Sequence, residues 1–353
     1  GIRLMAYSTI PKGSLYMNNV LWTGNNTART ITGVGFQPDF TWIKSRTQAY
    51  NHILTDVLRG TTKYLSSNTN TVETTDAQTL TAFASDGFSI GTSNLVNQNV
   101  QDHVAWNWKG GGTGSANTDG SINSTVSANT TAGISISQYT GNATDNASVG
   151  HGLGTAPKML IIKEITSTSN WGVWHQDLTD GGYRLSLQET TAQVSDTAFM
   201  GGGNRAIPTN SVFYLGSGGG GNSSSDNYIA YAFSEIKGFS KMGSYTGNGN
   251  ADGPFVYTGF SPSFIMGKRT DGTGPWWMLD NKRDGYNVTN RYLLADDSRT
   301  EGTDPEYNTD FLSNGWKTRY NNGNYNASGG TYIYMAFAEN PFVATSGTSA
   351  IPV

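Results

Sequence analysis

Tyr245-Thr246-Gly247-Asn248 is the third appearance of one phrase. It occurs earlier as Trp22-Thr23-Gly24-Asn25 and as Tyr139-Thr140-Gly141-Asn142. A four-residue match carries little weight, so the flanks decide. Downstream of each phrase comes a Gly–apolar–Pro element and a hydrophobic run ending in Lys. The first is Gly35-Phe36-Gln37-Pro38-Asp39-Phe40-Thr41-Trp42-Ile43-Lys44. The second spans Gly152 to Lys163 through Pro157, and the third spans Gly259 to Lys268 through Pro262. A closing landmark follows in the same order: Val104-Ala105-Trp106-Asn107-Trp108, Ile229-Ala230-Tyr231-Ala232-Phe233 and Ile333-Tyr334-Met335-Ala336-Phe337. Ordered self-similarity at a period of about 110 residues marks a repeat architecture, with the middle copy the most diverged.

Between the landmarks the pattern is that of short strands. Runs rich in Trp, Tyr, Ile, Val and Thr alternate with Gly, Asn, Asp and Ser turns, the signature of a sandwich or barrel. Asp86-Gly87 and Asn314-Gly315 are tight-turn pairs, because Gly accepts a positive φ. Asp76 to Phe83 is the one stretch that reads as a short helical turn. The expected fold is all-β, with three tandem antiparallel β-sandwich (jelly-roll-like) repeats. The expected organisation is an N-terminal segment 1–19, able to serve as a docking arm, then repeat 1 over 20–110. A Gly/Ser/Thr/Asn linker over 111–131 follows, then repeat 2 over 132–237, repeat 3 over 238–343 and a tail over 344–353. The joint with Ile236 and Phe239 is expected to be packed.

Composition narrows the function classes. The 353 residues include 45 Gly, 18 Tyr and 9 Trp, with no Cys and only 14% charged residues. Absent cysteine removes disulfide frameworks, Fe–S clusters and thiolate zinc sites. A formal net charge of −4 gives no footprint for nucleic acid. No apolar run nears the roughly 20 residues of a membrane-spanning helix, so no membrane insertion is expected. No basic region followed by an apolar stretch opens the chain, so no signal peptide is expected.

Motifs for chemistry are sparse. The four His (His52, His103, His151, His175) show no metal-ligand spacing. His52 and His175 fall near equivalent places in copies one and two, where copy three has Trp277 and Met278. Gly216-Ser217-Gly218 lacks the strand and helix of a nucleophile elbow. The most acidic stretch holds Asp296, Asp297, Glu301, Asp304, Glu306 and Asp310. It reads first as a solvated loop. Asp296, Asp297 and Asp304 are the candidate Ca²⁺ ligands, and a carboxylate pair for sugar cleavage is the weaker alternative. No catalytic residue is assigned and no cofactor is expected. Aromatic rings beside polar loops are the better lead, since rings stack on sugar faces. Trp276, Trp277, Tyr320 and Tyr325 are therefore the candidates for glycan or partner binding; the alternatives are core packing for the Trp pair and capping of a neighbour for the Tyr loop.

Several stretches carry a resemblance. They include Met5-Ala6-Tyr7-Ser8-Thr9-Ile10-Pro11-Lys12 with Leu21-Trp22-Thr23-Gly24-Asn25, the Gly35–Lys44 run, Asp56-Val57-Leu58-Arg59-Gly60-Thr61-Thr62-Lys63-Tyr64-Leu65, and Trp106-Asn107-Trp108-Lys109. In the last copy they include Tyr332-Ile333-Tyr334-Met335-Ala336-Phe337-Ala338-Glu339-Asn340-Pro341-Phe342. Together, from about Met5 to Phe342, they resemble the repeated β-domains of tailed-bacteriophage virion structural proteins. That resemblance implies a virion location and other virion proteins of the capsid or tail as partners. A host surface glycan is a further partner and a homotrimer is compatible. The role it implies is a fibre or spike protein presenting its repeats for host attachment, and not an enzyme. A capsid decoration or cement protein is the alternative, and a depolymerase-like carbohydrate-active fibre domain is the second.

Overall fold

The computed structural model describes residues 8–218 and 220–341. Met5 to Tyr7, Phe342 and the tail 344–353 lie outside the described residues. The fold is almost entirely antiparallel β-sheet, in three large sheets and several small ones. The first large sheet runs Met17–Thr23, Asp102–Trp108, Phe40–Ser45, Ile53–Asp56 across its width. The second contains Ile134–Thr140, Asn227–Phe233, Met159–Glu164 and Gly172–His175 in the corresponding order. The third contains Ser240–Thr246, Thr331–Pro341, Phe260–Arg269 and Trp277–Asp280, with Leu293–Leu294 outermost. In each, the opening strand pairs with the closing one, and the closing strand pairs with the strand after the Gly–Pro element.

Both faces of these sheets are covered, which is why their strands are buried at nearly every position. One face of each meets its own small sheet. For the first sheet this is Arg29–Thr32, Gly87–Ile90 and Leu80–Ala84. For the second it is Ala147–Gly150 with Val212–Leu215. For the third it is Phe255–Tyr257, Gly315–Thr318 and Thr309–Leu312. The tight-turn pairs close hairpins, Leu80–Ala84 with Gly87–Ile90 and Thr309–Leu312 with Gly315–Thr318. Asp76 to Phe83 is no helix: Leu80 onward is strand, and Asp76 turns the chain by accepting the Gln78 N–H at 2.8 Å.

The other face of every large sheet enters one shared core. Trp108, Phe233 and Phe337 hold the same register position, opposite Phe40, Met159 and Phe264. Their rings meet one another at centroid distances of 6.4, 5.8 and 6.0 Å, so the three sheets converge around one aromatic centre.

The sheets are joined head to tail around that centre by corresponding hydrogen bonds. Between the first and second sheets, Trp171 Nε1 donates to Ser66 O at 3.0 Å and the Tyr231 hydroxyl donates to Asp56 Oδ2 at 2.8 Å. Between the second and third, Trp276 Nε1 donates to Ser186 O at 2.9 Å and His175 Nε2 to Tyr334 O at 3.2 Å. Between the third and first, His52 Nε2 donates to Leu294 O at 2.9 Å and Trp106 Nε1 to Asp280 Oδ2 at 3.0 Å. The last junction closes a ring. Register therefore groups His52 with Trp171 and Trp276, and His175 with Asp56 and Asp280. The expected equivalence of His52, His175, Trp277 and Met278 is corrected accordingly.

Two segments depart from the expected organisation. Residues 8–19 are no free arm: Ile10 and Met17 are buried in the shared core, and Met17 already pairs with Trp108. The stretch 111–131 is no loose linker. Ser115–Asn117 and Ser124–Asn129 form strands that extend the second sheet beyond Ile134–Thr140. Its Gly content suggested flexibility, but Ile122, Ser124 and Val126 alternate inward and are buried. Phe239 is buried at the expected packed joint.

Candidate functional site

The aromatic candidates are mostly core. Trp276 is 1% exposed, and Trp277 and Tyr325 are 0% exposed. A ring in that position offers no face to a sugar, so the binding assignment is corrected for these three. Trp276 is spent on the second junction. Trp277 packs edge-on against Trp316 and Tyr325 at 5.8 and 5.3 Å. The Tyr325 hydroxyl bonds Thr309 and donates to Asn308 O. Burial pushes the Tyr325 phenol far above its usual range. Tyr320 is half-buried, and its carbonyl accepts from the buried Asn326 amide at 3.0 Å. These rings looked loop-borne because they flank turns. Two-sided coverage of the third sheet buries them.

Of the acidic candidates, Asp296, Asp297 and Glu306 line one pocket of about 180 Å³ together with Tyr292, Tyr307 and Arg299 among others, and Asp304 does not. Each is engaged separately. Asp296 Oδ1 accepts the Trp276 N–H at 2.7 Å, and burial raises its carboxyl to about 6. Asp297 is bound by Arg299 at 2.6 Å, which helps hold its carboxyl below the usual range. Asp304 accepts from the Tyr292 hydroxyl at 3.3 Å. The three do not converge, and among the described residues no group of three His, Asp or Glu is placed to hold a metal ion. Glu301 instead bonds Arg46, Arg283 and Arg291 at the ring-closing junction.

Three buried lysines are likewise spent on backbone. Lys44, Lys163 and Lys268 share one register position, opposite Val104, Ile229 and Ile333. Their ammonium groups donate to the carbonyls of Ser45, Glu164 and Arg269 at 2.6, 2.7 and 2.8 Å. Burial lowers each to about 8. His52 is fixed in one tautomer, since Trp42 Nε1 donates to its Nδ1 at 2.9 Å, and burial lowers it to about 3.

The surface feature that the sequence reading missed is a groove of about 390 Å³ between Ser240–Thr246 and Phe255–Tyr257. Phe255 is 46% and Tyr257 54% exposed, and Gln176, Asp177 and Glu235 complete the walls. The available signal was Phe255-Val256-Tyr257 itself, a strand-like triplet whose alternation leaves two aromatic rings on the outer face. No helix among the described residues is long and apolar enough to cross a membrane.

A family model described as a domain of unknown function (DUF7483) matches residues 12–341. No curated protein and no solved structure matches the chain.

Proposed function

This chain belongs to the DUF7483 family, and we propose that it is a non-enzymatic structural protein of a tailed-bacteriophage virion, of fibre or spike type. In this reading three copies of one β-sandwich unit form a stiff body, and its outer loops and grooves are presented for attachment to the host surface. The observation that supports it is closure of the ring. The three sheets share a strand order, meet at Trp108, Phe233 and Phe337, and are linked by a donor from each to an acceptor of the next. Such a body resists deformation, which suits a mechanical and adhesive role. The buried titratable groups described above are committed to structural partners.

The same closure favours a second reading, a capsid decoration protein. One chain with three similar sides fits a three-fold position on a shell without needing the homotrimer that the resemblance allows.

The test is light scattering of the purified chain over a range of concentrations, followed by sedimentation with particles and with host cells. Adsorption to cells supports the attachment reading. Tight binding to shells without binding to cells shifts the assignment to decoration. Shortening of host polysaccharide on incubation overturns the non-enzymatic reading.

A further inference from the structure

The second and third sheets differ at one edge. Beside Ile134–Thr140, the chain's own residues 120–129 fill the slot between large and small sheets. Ser124–Asn129 pairs with the large-sheet edge, while Ile122 bridges Val149 of the small sheet and its N–H reaches Ser148 O at 2.9 Å. The corresponding edge of the third sheet is Ser240–Thr246, since Ile134 and Ser240 sit opposite Phe233 and Phe337. The corresponding small-sheet strand is Phe255–Tyr257, with Val256 opposite Trp316 as Val149 is opposite Phe213. The joint before Ser240 is too short to supply a filling strand, and the groove stands open there.

We propose that this groove is a strand-acceptor site, which takes one extended, uncharged peptide segment of a partner protein by adding it to the edge Ser240–Thr246. The occupant chemistry follows from the slot already filled in the same chain, where aliphatic Ile122 and Val126 alternate with small polar residues. Backbone polarity fits the role. Met242 turns both main-chain groups outward, its N–H to Glu235 Oε1 at 2.9 Å and its carbonyl to the Gln176 amide. Ser244, two residues on, faces the same way. Its N–H and carbonyl have no partner among the described residues across that edge. Glu235 and Gln176 are side-chain placeholders that an incoming main chain would displace. Phe255 and Tyr257 replace Ser148 and Gly150, giving an incoming aliphatic residue aromatic walls. The groove is continuous with the second junction, where His175 already holds the third sheet. Strand addition of this kind takes affinity from main-chain bonds and selectivity from alternate side chains. The proposal goes beyond the virion reading and stands independently of it.

The experiment uses the whole chain and a labelled peptide of residues 120–129 as probe. Fluorescence anisotropy reads binding, and hydrogen exchange reads the Ser244 amide. Saturable binding that slows Ser244 exchange is expected. Ser244→Pro removes only an outward donor and should weaken binding about tenfold while thermal stability stays level. Phe255→Glu, at an exposed position, should also weaken it and decides the matter if the proline variant does not fold. No saturation overturns the proposal, as does binding that both variants leave intact. A Ser244 amide already protected in the free chain overturns it too, because the edge is then covered by a second copy or by residues 342–353. Binding of oligosaccharides in place of the peptide assigns the groove to sugars and overturns it equally.

Discussion

The first and third sheets solve their junctions with the same ionic device, and the second does not. Asp56 and Arg59 are joined at 2.6 Å with both side chains fully buried, and so are Asp280 and Arg283. In both, the Asp Oδ1 accepts the Arg main-chain N–H while the Arg reaches back to a strand carbonyl, Leu54 O or Met278 O. A neighbouring sheet then donates to the carboxylate, through Tyr231 in one case and Trp106 in the other. The second sheet has His175 where these have Asp, and Leu178 where they have Arg. There the polarity is reversed: a neutral imidazole donates to a carbonyl of the third sheet. One backbone geometry thus accepts either a buried ion pair or a neutral donor. What the slot requires is a satisfied hydrogen bond across the junction, and charge is optional.

Breaking one partner of an ion pair tests this most severely. Asp280→Asn removes the nearer of the two carboxylates that balance buried Arg283 and should cost about 3–5 kcal/mol. A fall of that size in the unfolding free energy from urea titration is expected. A change below about 1 kcal/mol would mean that Glu301, 3.3 Å from Arg283, carries the charge balance alone.

Acid should expose the His175 junction. Burial lowers His175 to about 4 and His103 to about 4, with His52 at about 3. Their unfolded value lies near 6.5, so between that pH and 4 the unfolded chain binds protons that the folded chain refuses. Stability therefore falls as pH drops through this window, by ~3 kcal/mol for a group shifted this far. Asp296, raised to about 6, works in the opposite direction and offsets part of the loss. His175→Gln should flatten the pH dependence of the unfolding midpoint between pH 6.5 and 4. An unchanged profile in that variant would place the acid sensitivity elsewhere.

The junctions were illegible in the sequence for a physical reason. Asp280 and Trp106 are 174 residues apart, and nothing local marks either as the other's partner. The Asp-x-x-Arg spacing at 56 and 280 was visible, but its meaning depends on burial that only the neighbouring sheet provides. Strand periodicity was legible because alternation is local, as were the Asp86-Gly87 and Asn314-Gly315 hairpins. Residues 111–131 misled because glycine suggests freedom. Here Gly111 passes so close to the Ala128 backbone that a Cβ would not fit, and the segment is a paired edge. Trp276 and Trp277 misled because a turn entering a strand predicts exposure only when one sheet face is solvated.

Replacing Trp276 by Phe keeps most of the ring and removes the Nε1 bond to Ser186 O, which then keeps only the longer bond from the Glu189 N–H at 3.3 Å. About 1–2 kcal/mol is expected from thermal unfolding. Trp171→Phe at the first junction should cost about as much, since its Nε1 is shared between Ser66 O at 3.0 Å and Thr69 O at 3.1 Å. Unequal costs would show that the junctions are not interchangeable.

The smallest effect should come from a pair outside the ring. Arg205 and Asp180 meet at 2.9 Å, but their side chains are 42% and 35% exposed. Solvent screens that attraction, and holding two mobile side chains costs entropy, so Arg205→Ala should change stability by less than ~1 kcal/mol. The change should shrink further in high salt. Asp280→Asn should keep its cost in the same salt, because no counter-ions reach a carboxylate buried under Trp106 and Arg283. The salt series therefore separates the two kinds of pair without reference to their distances. If both variants lost their effect together, the buried network would be no more than a surface pair placed deep, and the ring would rest on its aromatic centre alone.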